Sequence, residues 1–259
     1  RELLQENYAD SQLWEKLTIG SQNASLTSKN PPAQINNGDL ITDLSELNGV
    51  TLRLNTPLGF TSKGGDLSVT AGGSTRMISD QALSINSITS QGLLSIKAPS
   101  MTQSAAGQGI SSTAGVIELR STSGGIGEQS NPLKVSTSQM SSLFTSSQGG
   151  GTYIHNPGTQ ALAIGSMLSS SDLQVSGDGP LRNAGSNGSA IGKEGGGINV
   201  QAPNLVLNAP QIGTPLSPLL VGGGSSNQPT LLTASAVGGA DAVFSIRSVG
   251  ATPVLLNDV

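Results

Sequence analysis

Ile126-Gly-Glu-Gln-Ser-Asn-Pro-Leu-Lys-Val135 returns later in the chain as Ile212-Gly-Thr-Pro-Leu-Ser-Pro-Leu-Leu-Val221. Both ends of the motif move by 86 residues, 126 to 212 and 135 to 221. Each copy reads Ile-Gly, three free positions, Asn or Ser, then Pro-Leu-x-Val. The Ile-Gly pair closes a turn, and proline fixes φ at a strand entrance. Leu-x-Val then points two apolar side chains to one face. Looser echoes follow: Ser142–Thr145 against Thr230–Thr233, Tyr153 against Phe244, and Ala161–Ile164 against Pro253–Leu256. An internal repeat, here near 126–165 and 212–256, implies stacked units rather than a globule.

Composition agrees with that reading. The 259 residues are 11% charged and 2% aromatic, with 35 glycines, so a core of this size cannot lean on buried rings. It must be narrow and lined by short aliphatics. Net charge is −4, too low for a disordered polyanion. Only 12 Lys and Arg are present, which excludes a basic surface for nucleic acid. No apolar run reaches the roughly 18 residues of a membrane span, and no stretch reads as a signal peptide. With no initiating Met, the chain reads as a piece of something longer. Cysteine is absent, which removes disulfides and thiol chemistry.

Residues 1–37 read as an N-terminal arm and linker, and 38–259 as the repeat region. The arm concentrates charge (Arg1, Glu2, Glu6, Asp10, Glu15, Lys16) and carries Tyr8 and Trp14. Asp10 or Ser11 is placed to cap a short helix with Leu13, Trp14 and Leu17 on one side; the alternative is an undocked arm. Residues 18–37, with Asn30-Pro-Pro32, read as a turn-rich linker. Asn23-Ala-Ser25 and Asn187-Gly-Ser189 fit glycosylation sequons, a weak signal in a Ser-rich chain.

From Gly38 on, short strands recur, each with two apolar residues around a polar one. They are Leu52/Leu54, Leu67/Val69, Leu83/Ile85, Leu94/Ile96, Ile117/Leu119, Leu133/Val135, Leu162/Ile164, Leu173/Val175, Ile198/Val200 and Leu205/Leu207. Such alternation means strands with one buried face. Coils of roughly 20–23 residues would make the motif offset about four coils. A β-sandwich is the competing architecture, but it wants large core aromatics. The expected fold is therefore all-β, a parallel β-helix, with polar ladders at its turns and aliphatic stacks inside.

The strand grammar resembles that of filamentous-haemagglutinin-like large exoproteins and similar repetitive bacterial surface proteins. The likeness is carried by Gly124-Gly-Ile-Gly127 with Asn131–Val135, by the weaker copy at 212–221, by Gly64–Gly73 and by Gly195–Val200. It covers roughly Gly38 to Leu256; the charged arm at 1–17 departs from it. The resemblance implies a right-handed winding and an extracellular or cell-surface location. It also implies a role in adhesion, biofilm or surface structure.

Catalytic groups are sparse. β-Helix polysaccharide enzymes need clustered carboxylates. Here they are scattered; the pairs weighed past residue 16 are Asp43 with Glu46 and Asp172 with Asp178, and Asp66 occupies an ordinary turn. The lone His155, beside Tyr153, cannot build a zinc site or a triad without partners. Gly192-Lys193 fails a phosphate-loop pattern, with Asn187 and Glu194 at required positions. Ser176–Gly197 reads as a long insertion on one face, and a place for a binding surface.

No catalytic, cofactor-binding or metal residue is expected, and no cofactor. The expected function is a structural or adhesive repeat protein forming a rod or filament. The alternative is a polysaccharide-binding or polysaccharide-degrading module. Expected partners are other copies or adjoining repeats, head-to-tail, with surface glycans as a further class. The C-terminal stretch Val254–Val259 is in strand register with no polar tail, so it should stack on a next segment or on another copy's N-terminal arm.

Overall fold

The computed structural model describes residues 82 onward except 114, 139–140, 185–197, 223–228, 238–241, 251–252 and 259; before residue 82 it describes the backbone of seven strands. The N-terminal pair, β1 (Trp14–Ile19) and β2 (Ala24–Ser28), is an antiparallel hairpin. The helix expected around Trp14 and Leu17 is therefore a strand. Its Thr18 and Ile19 favour extended backbone, and β2 supplies a partner for it. Leu13 and the candidate caps lie outside the described residues. The stretch read as linker also holds β2 and β3 (Gln34–Asn36).

From β3 onward the chain winds between two sheets. The first contains β3, β4 (Asp39–Leu44), β6 (Leu67–Ala71), β8 (Leu83–Ser90), β11 (Gly109–Ser112) and β13 (Leu133–Thr137). It continues through β15 (Thr152–Asn156), β17 (Asp172–Gly177), β20 (Asn204–Ala209), β22 (Thr230–Ala236) and β24 (Val254–Asp258), with β10 (Met101–Gln103) beside β8. The second contains β5 (Val50–Leu54), β7 (Thr75–Ser79), β9 (Leu94–Ala98), β12 (Gly115–Ser121) and β14 (Ser141–Ser147). It continues through β16 (Leu162–Ser169), β19 (Val200–Gln201), β21 (Leu219–Gly222) and β23 (Ile246–Val249), with β18 (Leu181–Asn183) beside β16. Every pairing in the two sheets is parallel except β3 with β4. This is a parallel β-solenoid, with no helix among the described residues.

The alternating pairs make the core. Leu83, Ile85, Leu94, Ile96, Ile117, Leu119, Leu133, Val135, Leu162, Ile164, Leu173, Val175, Leu205 and Leu207 are all buried. Among the described residues the core contains no ring. The pair at 198/200 differs: Ile198 precedes β19 and is half-buried, while Asn199 and Val200 are buried. Side chains at Leu52, Leu54, Leu67 and Val69 lie outside the described residues. Buried hydroxyls align from coil to coil as expected: Ser121, Ser147 and Ser169 are in register, and Ser147 Oγ donates to Ser169 Oγ at 3.0 Å.

The two motif copies build one corner twice. Ile126 N donates to Gly151 O at 2.9 Å, and Ile212 N to Val243 O at 2.9 Å. Gly127 and Gly213 take φ of 69° and 66°. Their amides donate to Met101 O and Leu181 O. Glu128 then bridges Asn131, as Thr214 bridges Ser217. Yet β13 belongs to the first sheet and β21 to the second. The chain crosses between sheets seven times from β13 to β21, so the repeat spans three and a half coils rather than four. The estimate failed because coil length varies: Ile154 pairs with Val175, 21 residues on, but Val175 pairs with Leu207, 32 residues on. That long step holds the expected insertion. β18 and β19 both add to β16, and residues 185–197 between them, most of the expected insertion, lie outside the described residues.

One core position is at odds with its surroundings. Thr145 sits inward between Leu119 and Met167, and its Oγ1 is buried with no hydrogen-bond partner. Thr145→Val keeps the shape and removes the stranded hydroxyl. It should stabilise the fold by about 1 kcal/mol, raising Tm by roughly 2–4 °C. A lower Tm would show that the hydroxyl has a partner.

Candidate functional site

Among the described residues, the outer face of the first sheet brings several functional side chains together. Parallel pairing without slippage puts equivalent residues in columns about 4.8 Å apart. One column is Lys134, His155, Ser176 and Asn208. The next holds Tyr153, Gln174 and Val206, and a third pairs Asp172 with Asn204. Tyr153 Oη donates to Asp172 Oδ2 at 3.3 Å, and Asn204 Nδ2 donates to Oδ1 at 2.8 Å. His155 Nδ1 lies 3.1 Å from Ser176 Oγ. Asp172 thus links a ring and a carboxamide across three coils.

Burial raises the Tyr153 pKa above 10.0, and the nearby Asp172 charge and the hydrogen bond to it raise it further. Each cause disfavours the phenolate. The stability this contributes is present below the unfolded pKa and is lost as pH rises through the folded one. Ultraviolet titration should show one phenolate appearing above pH 10, and Asp172→Asn should bring it down towards the ordinary value. A titration unchanged by Asp172→Asn would remove Asp172 as a cause.

The other sequence candidates do not converge. Asp172 opens β17 and Asp178 follows its end, about 20 Å away along an extended strand. Asp43 lies in β4 opposite Thr70, while Glu46, Asp66 and residues 192–194 lie outside the described residues. Glu118 is buried, but it is held by Ser95 Oγ at 3.0 Å and an ion pair with Arg120. Among the described residues no three of His, Cys, Asp and Glu group closely enough to hold a metal ion. A shallow depression of about 250 Å³ opens at a corner of the second sheet, lined by Ser147, Gln148, Leu168, Ser169, Ser170 and Gln201. It offers hydroxyls and amides but no charge.

The second candidate is the last coil. Among the described residues β23 and β24 are paired on one edge only. Leu255, Leu256 and Phe244 are exposed there. Coil for coil, Leu256 stands where Ile164 stands one repeat earlier, since Leu232 pairs with Leu256 as Leu143 pairs with Ile164. Ile164 is 0% exposed and Leu256 is 69% exposed.

No known protein family, curated protein or solved structure matches this chain.

Sequence reasoning missed the buried carboxamides. Gln103 Oε1 accepts from Lys134 N at 3.0 Å, and Gln103 Nε2 donates to Ile85 O at 3.4 Å. In the second unit that role is split. Asn183 occupies the place of Gln103 but is shorter, so Asn199 accepts from Leu220 N at 2.8 Å and donates to Ile164 O at 2.9 Å. Asn199 was legible only as the polar residue between Ile198 and Val200, and Gln103 lay in no strand read from the sequence.

Proposed function

We propose that this chain is a structural or adhesive repeat protein of a bacterial surface or its extracellular matrix, working as a stiff rod without catalysis. One observation carries the reading: two continuous parallel sheets share a single column of small aliphatics, with each coil hydrogen-bonded to the next. Such a stack repeats its outer side chains at fixed intervals, so weak contacts add through multivalency. It extends by adding copies or further repeats, head-to-tail. The resemblance of its strand grammar to filamentous-haemagglutinin-like exoproteins supports the same role. Small-angle scattering should give a rod-like cross-section, and beads densely coated with the chain should adhere to cell or matrix surfaces far better than sparsely coated ones. A globular profile, or adhesion independent of density, would count against it.

A polysaccharide-binding or polysaccharide-degrading role is the second reading, favoured by the Tyr153, Asp172 and Asn204 group. Calorimetric binding of a bacterial, algal or plant polysaccharide that Tyr153→Ala abolishes would select the binding form. Turnover of such a polymer by the purified chain would select the enzyme.

A further inference from the structure

We propose that the outer face of the second sheet binds an acidic polysaccharide along the solenoid axis, gripping a uronate carboxylate at Lys97 and Arg120 and laying neighbouring neutral sugars over Leu168 and Gln201. Lys97, Arg120, Ser146, Leu168 and Gln201 pair one to the next through β9, β12, β14, β16 and β19. They form one unbroken column, at about 4.8 Å per step. All of them are exposed or half-buried, so the column faces outward. Its first part is cationic and the rest carries no charge.

The cationic end is held from beneath. Glu118 is 5% exposed, accepts from Ser95 Oγ at 3.0 Å and accepts from Arg120 Nε. A carboxylate buried in this way fixes the guanidinium by its Nε edge. Both Nη groups, the fork that recognises a carboxylate, are left for a ligand. The Arg120 side chain is 38% exposed, and Lys97 stands exposed one coil away. Two cations and one carboxylate leave a single positive charge, which matches one carboxylate on the ligand rather than a row of them. A densely sulfated chain or a nucleic acid would set further anions over Ser146, Leu168 and Gln201. No cation of the column answers them there, and the whole chain has a net charge of −4.

The uncharged end has room for a sugar. The depression of about 250 Å³ lies there, with Leu168 as its apolar surface and Gln148, Ser170 and Gln201 as polar groups around it. An apolar surface with a few hydrogen-bonding groups suits the CH face of a pyranose ring and its hydroxyls. Gln201 stands three steps from Arg120, about 14 Å, so one extended oligosaccharide reaches both. This site goes beyond the rod reading, and it lies on the sheet that does not carry Tyr153.

The probes are fluorescently labelled oligosaccharides of gellan and of hyaluronan, which set uronates among neutral sugars, added to the full chain. At least one should bind saturably, weaken with added salt, and lose its binding when its carboxyls are reduced to alcohols. Lys97→Met should weaken binding roughly tenfold, and Arg120→Lys, which keeps the charge but loses the fork, by at least as much. Leu168→Asp, with its melting point as the check on folding, should abolish binding. Arg182→Met, at an exposed arginine of β18 outside the column, should leave it unchanged. The bound oligosaccharide should shift the amide NMR signals of Gln148, Ser170 and Gln201 together with those of Lys97 and Arg120. Failure of both probes to bind, equal binding after carboxyl reduction, tighter binding of heparin or polyglutamate, or shifts confined to Lys97 and Arg120 would each overturn the proposal. Binding that survives Arg120→Met undiminished would remove this site and leave the polysaccharide reading of the first sheet standing.

Discussion

Leu133→Asp is expected to unfold the coils around β13, while Lys134→Asp, one residue on, leaves the melt almost where it was. Leu133 is completely buried between Ile154 and the neighbouring coils. Removing its side chain costs roughly 2–5 kcal/mol, and the unpaired carboxylate adds several more. That total rivals the whole stability of an ordinary domain, about 5–15 kcal/mol. Lys134 points outward, and its ammonium makes one bond, to Gly107 O at 3.1 Å. Losing it costs about 1 kcal/mol. The bond from Lys134 N to Gln103 Oε1 uses backbone and survives the change. Thermal or urea melts of both variants decide the matter. Similar losses would mean that the register of β13 is off by one, since a single-residue slip exchanges the two faces.

The same sensitivity to register explains what was legible in the sequence. Fold class was readable because period-2 aliphatic pairs and proline-marked strand entrances are local signals. The motif at 126–135 and 212–221 was readable because a corner needs fixed residue types: glycine at positive φ, then proline before the strand. The looser echoes align less well. Ala161–Ile164 does correspond to Pro253–Leu256, strand for strand. The other two slip by one residue. Leu143 corresponds to Leu232, both inward, and Leu231 faces out. Phe244 takes the place of Thr152, not Tyr153, because Ile212 bridges Phe244 as Ile126 bridges Thr152. Identity of side chains could not detect these slips, because Leu-Leu and Thr-Tyr-Ile offer an apolar residue in either frame.

The exchange of sheets was hidden for a different reason. A corner looks alike whether it feeds the first sheet or the second, since both present an aliphatic inner face. Only the strand pairing distinguishes three and a half coils from four. The surface cluster was half visible. Tyr153, His155 and Asp172 stood out singly, but Asn204, which completes the carboxylate's partners, lies 32 residues beyond Asp172. An insertion of unreadable length separates them in sequence.

Gly127→Ala should be strongly destabilising, and comparison with Gly213→Ala tests the stacked architecture itself. At φ 69° an alanine is strained by about 1–2 kcal/mol. Its β-carbon would also stand 2.2 Å from Tyr153 O and 2.7 Å from Leu133 N, both backbone atoms that cannot swing aside. Relief means breaking the bonds from Gly127 N to Met101 O and from Tyr153 N to Ile126 O. A loss of roughly 3–5 kcal/mol is expected. Gly213→Ala meets nearly the same obstruction, 2.1 Å from Ser245 O at φ 66°. The local cost is therefore equal, but the consequence is not. In a solenoid each coil is stabilised by its neighbours, so a broken joint releases whatever lies beyond it. At Gly127 the joint is mid-stack, and hydrogen exchange should rise on both sides, from β10 to β15. At Gly213 it lies near the last coils, and the rise should be confined to β21 through β24. Gly158→Ala, whose added carbon would meet nothing closer than 3.5 Å, is the matched control and should change little. If Gly213→Ala deprotected β8 through β13 as strongly as Gly127→Ala does, the coils would be unfolding as one unit. Stability could not then be assigned joint by joint.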